Sequence, residues 1–187
     1  YIYSGAGFGG GCFPKDTKAL LSFAKKMGVD TKLLKSVIHI NSTQPGRLVD
    51  FLKDTIGSLK GKKIAVLGLT FKPNSDDLRE SASLSVIQSL LVNGANVFCH
   101  DPLVSSKEKR AELKDLPITL VKKVGDALKN ADGALLVTAW DEYKKLTPTF
   151  FKELMRNPVL VDGRRMYSKA AFIGGHVMYK GIGLGSP

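Results

Sequence analysis

Apolar positions recur with two different periods along this chain, and the change of period falls near residue 61. Before it, Ala19, Leu20, Phe23 and Met27 follow Pro14 at helical spacing, which predicts a helix over residues 14–27. Gly28 suits the position just past its end. Asp30 is placed to cap a second, longer helix, in which Leu34, Val37, Ile38, Asn41, Leu48, Phe51, Leu52 and Ile56 mark a face at intervals of three, four and seven. Pro45-Gly46 interrupts it. An interior proline costs about 3 kcal/mol, so either one helix kinks there or two helices abut.

After the connector Gly57-Ser58-Leu59-Lys60-Gly61, short apolar runs alternate with helical patterns. Strands are predicted at 63–69, 96–100, 118–121, 133–138 and 159–162, the last closing the series, with helices at 81–93, 124–131 and 148–155. Strand–helix alternation with short loops predicts an α/β fold: a helical linker or dimerisation region over 1–61, then a Rossmann-like parallel sheet over 62–187.

Bulk properties narrow the ligand class. The chain has 187 residues, 43% of them hydrophobic and 24% charged, enough for a full core. Its net charge of +11, from 28 basic and 17 acidic residues, is diffuse: residues 1–61 carry 9 basic against 4 acidic. With no long basic run and no basic-aromatic interleaving, an anionic small molecule fits better than nucleic acid. No apolar run reaches the roughly 18 residues of a membrane span. Two dissimilar cysteines give no disulfide framework, so a cytoplasmic setting is expected. The three histidines are scattered without ligand spacing, and no metal is expected. His39 reads as a satisfied core residue and His100, before Asp101-Pro102, as part of a turn. The sequence runs from Tyr1 straight into a glycine loop, which reads as a start inside a longer protein.

The candidate chemistry sits in that loop. Cys12 follows three glycines in Gly-Phe-Gly-Gly-Gly-Cys-Phe-Pro-Lys-Asp (residues 7–16) and precedes the first helical turn. Glycines admit close backbone approach, and a helix start favours a thiolate, so a nucleophile is one reading; a small buried hydrophobe is the other. Cys99, in a strand-like run, reads as core. In the second region, the strand at 63–69 is followed by Gly-Leu-Thr-Phe-Lys-Pro (68–73) rather than the G-x-G-x-x-G of a dinucleotide site. That loop should therefore not hold NAD in the usual manner. Phe71 offers a stacking face and Lys72 a cation, which suit a base or ribose and a diphosphate. Ser75, Asp76 and Asp77 read as helix-start residues, with Arg79 paired to neighbouring acids.

Five segments in order resemble the UDP-glucose/GDP-mannose dehydrogenase family: residues 7–17, Gly68 to Pro73 with Asp77-Leu78-Arg79-Glu80-Ser81, His100-Asp101-Pro102, Asp162-Gly163-Arg164, and residues 179–185. Gly11 stands where the family usually has serine. The resemblance implies a nucleotide-sugar 6-dehydrogenase acting on UDP-glucose, with GDP-mannose and UDP-N-acetylhexosamines as open alternatives. It implies Cys12 as the thiol that adds to an aldehyde intermediate and Asp16 as the residue that helps the hydrolytic water. Lys15 and Arg79 would reach the cofactor NAD, held mainly by a part of the protein upstream of Tyr1, so that the chain alone should not turn over. Tyr1, Gly5, Phe8, Gly9, Phe13, Phe71, Lys72 and Arg164 would contact the UDP-sugar, with Arg165 a competitor for the role of Arg164. The long helix would form a homodimer. Two other classes stay open: a thiol hydrolase, which needs a histidine beside Cys12, and a non-catalytic nucleotide-binding or dimerisation module.

Overall fold

The computed structural model describes residues 4–106 and 110–184. Six parallel strands form one sheet, β1 (Lys63–Leu67), β2 (Asn96–His100), β3 (Thr119–Val121), β4 (Gly133–Leu136), β5 (Val159–Asp162) and β6 (Met178–Gly181), in the order β3-β2-β1-β4-β5-β6. The register sets Leu67 beside His100 and Leu136. The chain builds outward from β1 to β3, then returns to place β4 on the other side of β1. That reversal opens a crevice beyond the carboxyl ends of β1 and β4, where open α/β sheets bind ligands.

Alternation along the strands divides the core. Ile64, Val66, Val97, Cys99, Leu135, Val137, Val159 and Val161 face one layer, formed by α2 (Lys32–Ile56) and α3 (Ala82–Val92). Ala65, Leu67, Ala134, Leu136 and Leu160 face the other, formed by α4 (Val124–Leu128), α5 (Pro148–Leu154) and α6 (Lys169–Gly174). Gly133 and Gly163 belong to the first layer's fit: a Cβ on either would lie 2.6 or 2.8 Å from Leu52 or Leu48 of α2. Among the described residues no helix is long and apolar enough to cross a membrane.

The sequence reading needs several corrections. The series does not close at β5; α6 and the edge strand β6 follow it. β1 ends at Leu67 and β4 at Leu136, because the next residues turn to form the crevice loops. Thr31, not Asp30, occupies the cap position of α2 and makes no side-chain cap bond; Asp30 instead pairs with Lys32 and Lys35. α2 runs unbroken through Pro45, which settles the choice between one helix and two. Ser75, Asp76 and Asp77 lie in the loop, and α3 starts after Ser81, whose side chain caps Ser83. His39 is exposed, and His100 is the buried last residue of β2.

α1 (Phe13–Lys26) closes with Gly28 at φ +69°, as its sequence implies. Its periodic residues Leu20, Phe23 and Met27 face outward rather than into the core, while Pro14 and Ala24 are buried. Leu33, Val37 and Ile40 of α2 are exposed too.

Candidate functional site

Two loops meet over the crevice. The first, residues 68–81 between β1 and α3, starts at Gly68, whose φ of +88° turns the chain. A Cβ there would lie 2.4 Å from the Cβ of Thr138, so only glycine lets the loops after β1 and β4 approach so closely. Hydrogen bonds then hold its backbone. Leu69 and Thr70 donate to the buried Asp101 carboxylate at 2.7 and 3.2 Å, and the Leu69 and Thr70 carbonyls accept from the Ser83 and Thr138 hydroxyls. The Phe71 amide donates to the Asp77 carbonyl at 3.1 Å. Lys72 leaves this scaffold as an exposed cation, its Nζ 5.5 Å from the centroid of Phe71.

The second loop, residues 4–12, is strung between α2 and the first. Asn41 of α2 holds both polar groups of Phe8, accepting from its amide at 2.7 Å and donating to its carbonyl at 3.1 Å. Gln44, one turn on, donates to the Gly5 carbonyl at 3.2 Å. On the far side the Gly10 amide donates to the Arg79 carbonyl at 2.9 Å. The three glycines are contact surfaces. A Cβ on Gly9 would meet the Glu80 carbonyl oxygen at 2.2 Å, on Gly10 the Phe71 ring at 2.8 Å, and on Gly11 the Arg79 guanidinium at 2.6 Å. Lys18 of α1 closes the join with an ion pair to Glu80 at 2.9 Å.

Cys12 stands at the cap position of α1, exposed and without a side-chain capping bond. Phe13 begins the helix and meets Phe8 edge to face, 4.6 Å between centroids. The Asp16 amide donates to the Cys12 carbonyl at 2.9 Å, so Asp16 lies one turn along, paired with Lys15 at 3.4 Å; both are exposed. Arg79 pairs with Asp77 at 2.8 Å. That hydrogen bond raises the arginine's pKa and lowers the aspartate's, and Cys12 adds a smaller attraction to Arg79. Lys15 and Arg79 are thus both exposed cations, each paired with an aspartate.

Arg164 approaches from a third loop, after β5. Its Nε donates to the Val137 carbonyl at 2.6 Å, and its Nη1 lies 2.8 Å from where a Cβ on Gly5 would be. Burial lowers its pKa, against the attraction of Asp162. Arg165 is exposed at φ 51°, so geometry separates two residues that sequence leaves equal. Asp162 is fully buried and accepts from the amides of Arg164, Met166 and Tyr167 and from the Tyr179 hydroxyl, fixing that loop.

The structure thus brings Phe71 against Gly10, Arg79 against Gly11 next to Cys12, Phe8 with Phe13, and Gly5 with Arg164. Phe71 packs its ring against Gly10, which differs from the free stacking face its sequence position suggests. Tyr1 lies outside the described residues. A cavity of about 390 Å³ between α1, α2 and the start of α3 is lined by Phe8, Lys18, Asn41 and Glu80 but not by Cys12, Lys72 or Arg164. Among the described residues none of the three histidines is hydrogen-bonded to Cys12; His100 pairs with the Tyr143 hydroxyl at 3.0 Å. The described residues therefore offer the thiol-hydrolase reading no histidine in contact with Cys12. Sequence reasoning missed Gln44, Asp101, Trp140 and Asp162 as parts of the site, and it counted Asn41 only as a position on an apolar face. The available signals were a polar residue on that face and, for Asp101 and Asp162, their places in two of the family-like segments.

Residues 65–169 match the UDP-glucose/GDP-mannose dehydrogenase family, UDP binding domain, and residues 1–43 match its central domain. The UDP-glucose 6-dehydrogenase AglM of Haloferax volcanii is 41% identical over 169 residues, covering 90% of this chain and 38% of its own length. The UDP-glucose 6-dehydrogenase TuaD of Bacillus subtilis (strain 168) is 39% identical over 183 residues, covering 98% and 39%. The solved UDP-glucose dehydrogenase of the hyperthermophilic archaeon Pyrobaculum islandicum superposes with a TM-score of 0.82 at 37% identity, covering 97% of this chain and 39% of that one. The chain spans about two fifths of the length of these relatives.

Proposed function

Because the chain belongs to the UDP-glucose/GDP-mannose dehydrogenase family, we propose that it forms the sugar-nucleotide half of a dehydrogenase site that oxidises UDP-glucose to UDP-glucuronate. The observation that carries this reading is the join of the two loops, in which the segment bearing Phe71, Lys72 and Arg79 carries the glycines that precede Cys12. Residues 1–61 then supply the thiol loop and a helical dimer contact, and residues 62–187 the nucleotide site.

The chemistry follows from oxidation level. An aldehyde has no hydroxyl carbon ready to lose hydride, so the second oxidation needs an addition first. The Cys12 thiolate adds to the aldehyde carbon, and the resulting alkoxide takes a proton to give a thiohemiacetal. Oxidation of that carbon leaves a thioester on Cys12. Water then attacks the carbonyl, the carbon–sulfur bond breaks, and the acid and the free thiolate separate. Asp16, one turn from Cys12, accepts a hydrogen bond from that water and orients it. Lys72 and Arg164 hold the diphosphate and sugar end, and the loop residues Gly5, Phe8, Gly9 and Phe13 close over the substrate. NAD, when bound, would accept one hydride per molecule, so two NAD in turn would serve the two oxidations; Lys15 and Arg79 would be this chain's contacts to it, the rest of its site lying on residues outside this chain. A homodimer formed through α2 and a cytoplasmic setting complete the proposal.

Alkylation tests it. UDP-glucose should slow iodoacetamide labelling of Cys12 while Cys99, fully buried with its thiol pKa pushed up by desolvation, stays unlabelled. Labelling of Cys12 at the same rate with and without the nucleotide-sugar contradicts the reading.

A further inference from the structure

Asp101 follows the last residue of β2 and is 4% exposed, yet no cation pairs with it among the described residues. What surrounds it is donors. Its Oδ2 accepts from the Leu69 amide at 2.7 Å, the Trp140 indole at 3.0 Å and the Thr70 amide at 3.2 Å, with the Thr70 hydroxyl at 3.3 Å. Its Oδ1 accepts from the Leu103 amide at 3.0 Å. The Thr70 hydroxyl also reaches the Lys72 carbonyl at 3.1 Å. An acceptor on both oxygens is required here, and an amide in either orientation sets a donor against a donor.

The donors are not scattered. Leu69 and Thr70 open the loop that ends in Phe71 and Lys72, and Trp140 comes from the loop after β4, across the crevice. The same loop bears on the thiol, since Phe71, Arg79 and Glu80 are the surfaces against which Gly10, Gly11 and Gly9 pack. We propose that Asp101 is a positioning residue for this site: through the loop after β1 it fixes Lys72, and through the contacts of that loop with the three glycines it fixes Cys12. This rests on the roles proposed above for Lys72 and Cys12.

Asp132 supplies the control. It is equally buried, at the opposite edge of the sheet, and holds the Lys63 amide at 2.9 Å and Arg156 at 3.0 Å, with no link to the site. Asp101→Asn and Asp132→Asn are compared in the full chain, each checked for native circular dichroism and a single melt. Both should melt lower. Only Asp101→Asn should change the rate of Cys12 alkylation, by about threefold as the loop that backs the three glycines loosens, and weaken UDP binding by about tenfold. Unchanged alkylation and affinity in Asp101→Asn overturn the proposal, as do equal losses in Asp132→Asn. If the wild-type chain binds no UDP, the functional reading fails and the alkylation comparison still decides the positioning claim. Should Asp101→Asn not fold, Trp140→Phe removes one donor and leaves the carboxylate; a smaller change in rate is expected, and a wild-type rate overturns the claim.

Discussion

The sheet and the helical arm treat their apolar residues in opposite ways. Both faces of the sheet are closed: Ile64, Leu67, Leu135, Leu136 and Val161 are fully buried, and the helices over them complete two cores. The arm is open. Phe23 is 62% exposed and Leu33 80% exposed, and Leu20, Met27, Val37 and Ile40 stand out beside them. Single exposed apolar residues are ordinary, but here a set at helical spacing stands out on two adjacent helices, the feature from which the dimer is proposed. Stability therefore resides in the sheet layers, whereas the arm carries the thiol loop and leaves an apolar surface uncovered.

The largest effect should come from breaking the closed side. Leu135→Ala is expected to cost about 2–5 kcal/mol in denaturant unfolding, while Phe23→Ala should change it by less than about 0.5 kcal/mol. Equal losses at the two positions would erase the contrast. Next, Phe23→Glu combined with Leu33→Asp should convert a dimer to a monomer in sedimentation velocity with little change in melting. A wild-type chain that is already monomeric at micromolar concentration would remove the dimer from the account.

The join between arm and sheet is expected to be weaker than either core. Asn41→Leu strips both partners from Phe8 and should cost about 1–3 kcal/mol, with hydrogen exchange at the Phe8 amide accelerated. Lys18→Ala removes only an exposed ion pair, and a change below about 1 kcal/mol is expected.

One pH dependence belongs to the sheet side. Burial lowers the pKa of His100, partly offset by Glu142 and Asp101. A folded-state pKa below the unfolded value of about 6.5 means that the unfolded chain takes up the proton first. Stability should therefore fall as pH drops below about 6.5, down to the folded pKa. In His100→Gln that part of the pH profile should flatten; an unaltered slope in urea melts between those limits would show that His100 does not contribute.

Legibility in the sequence followed the same division. The strands β1, β4 and β5 are apolar runs that can only be buried, so their existence was evident even where their ends shifted by two residues. β6 escaped because an edge strand keeps one side in solvent: Met178 is exposed and Lys180 half-buried, which hides the run. Cys12 was visible because glycines, thiol and helix start are contiguous. Asp101 and Asp162 entered only as letters of family-like segments and not as site residues, since an aspartate at a strand end looks like a turn former until the distant amides that point at it are known. Likewise, the outward face of α1 has the same period as a core face, and periodicity says nothing about what covers it.

The central claim is that the crevice beyond β1 and β4 takes a uridine diphosphate group and not a dinucleotide cofactor. Titration of the chain with UDP and, separately, with NAD, followed by amide NMR shifts, tests it most directly. The account predicts saturable UDP shifts at Phe71, Lys72 and Arg164 that Lys72→Ala weakens, with NAD giving only slight changes near Lys15 and Arg79. Tight NAD binding in the crevice, or UDP shifts that Lys72→Ala leaves intact, would contradict it.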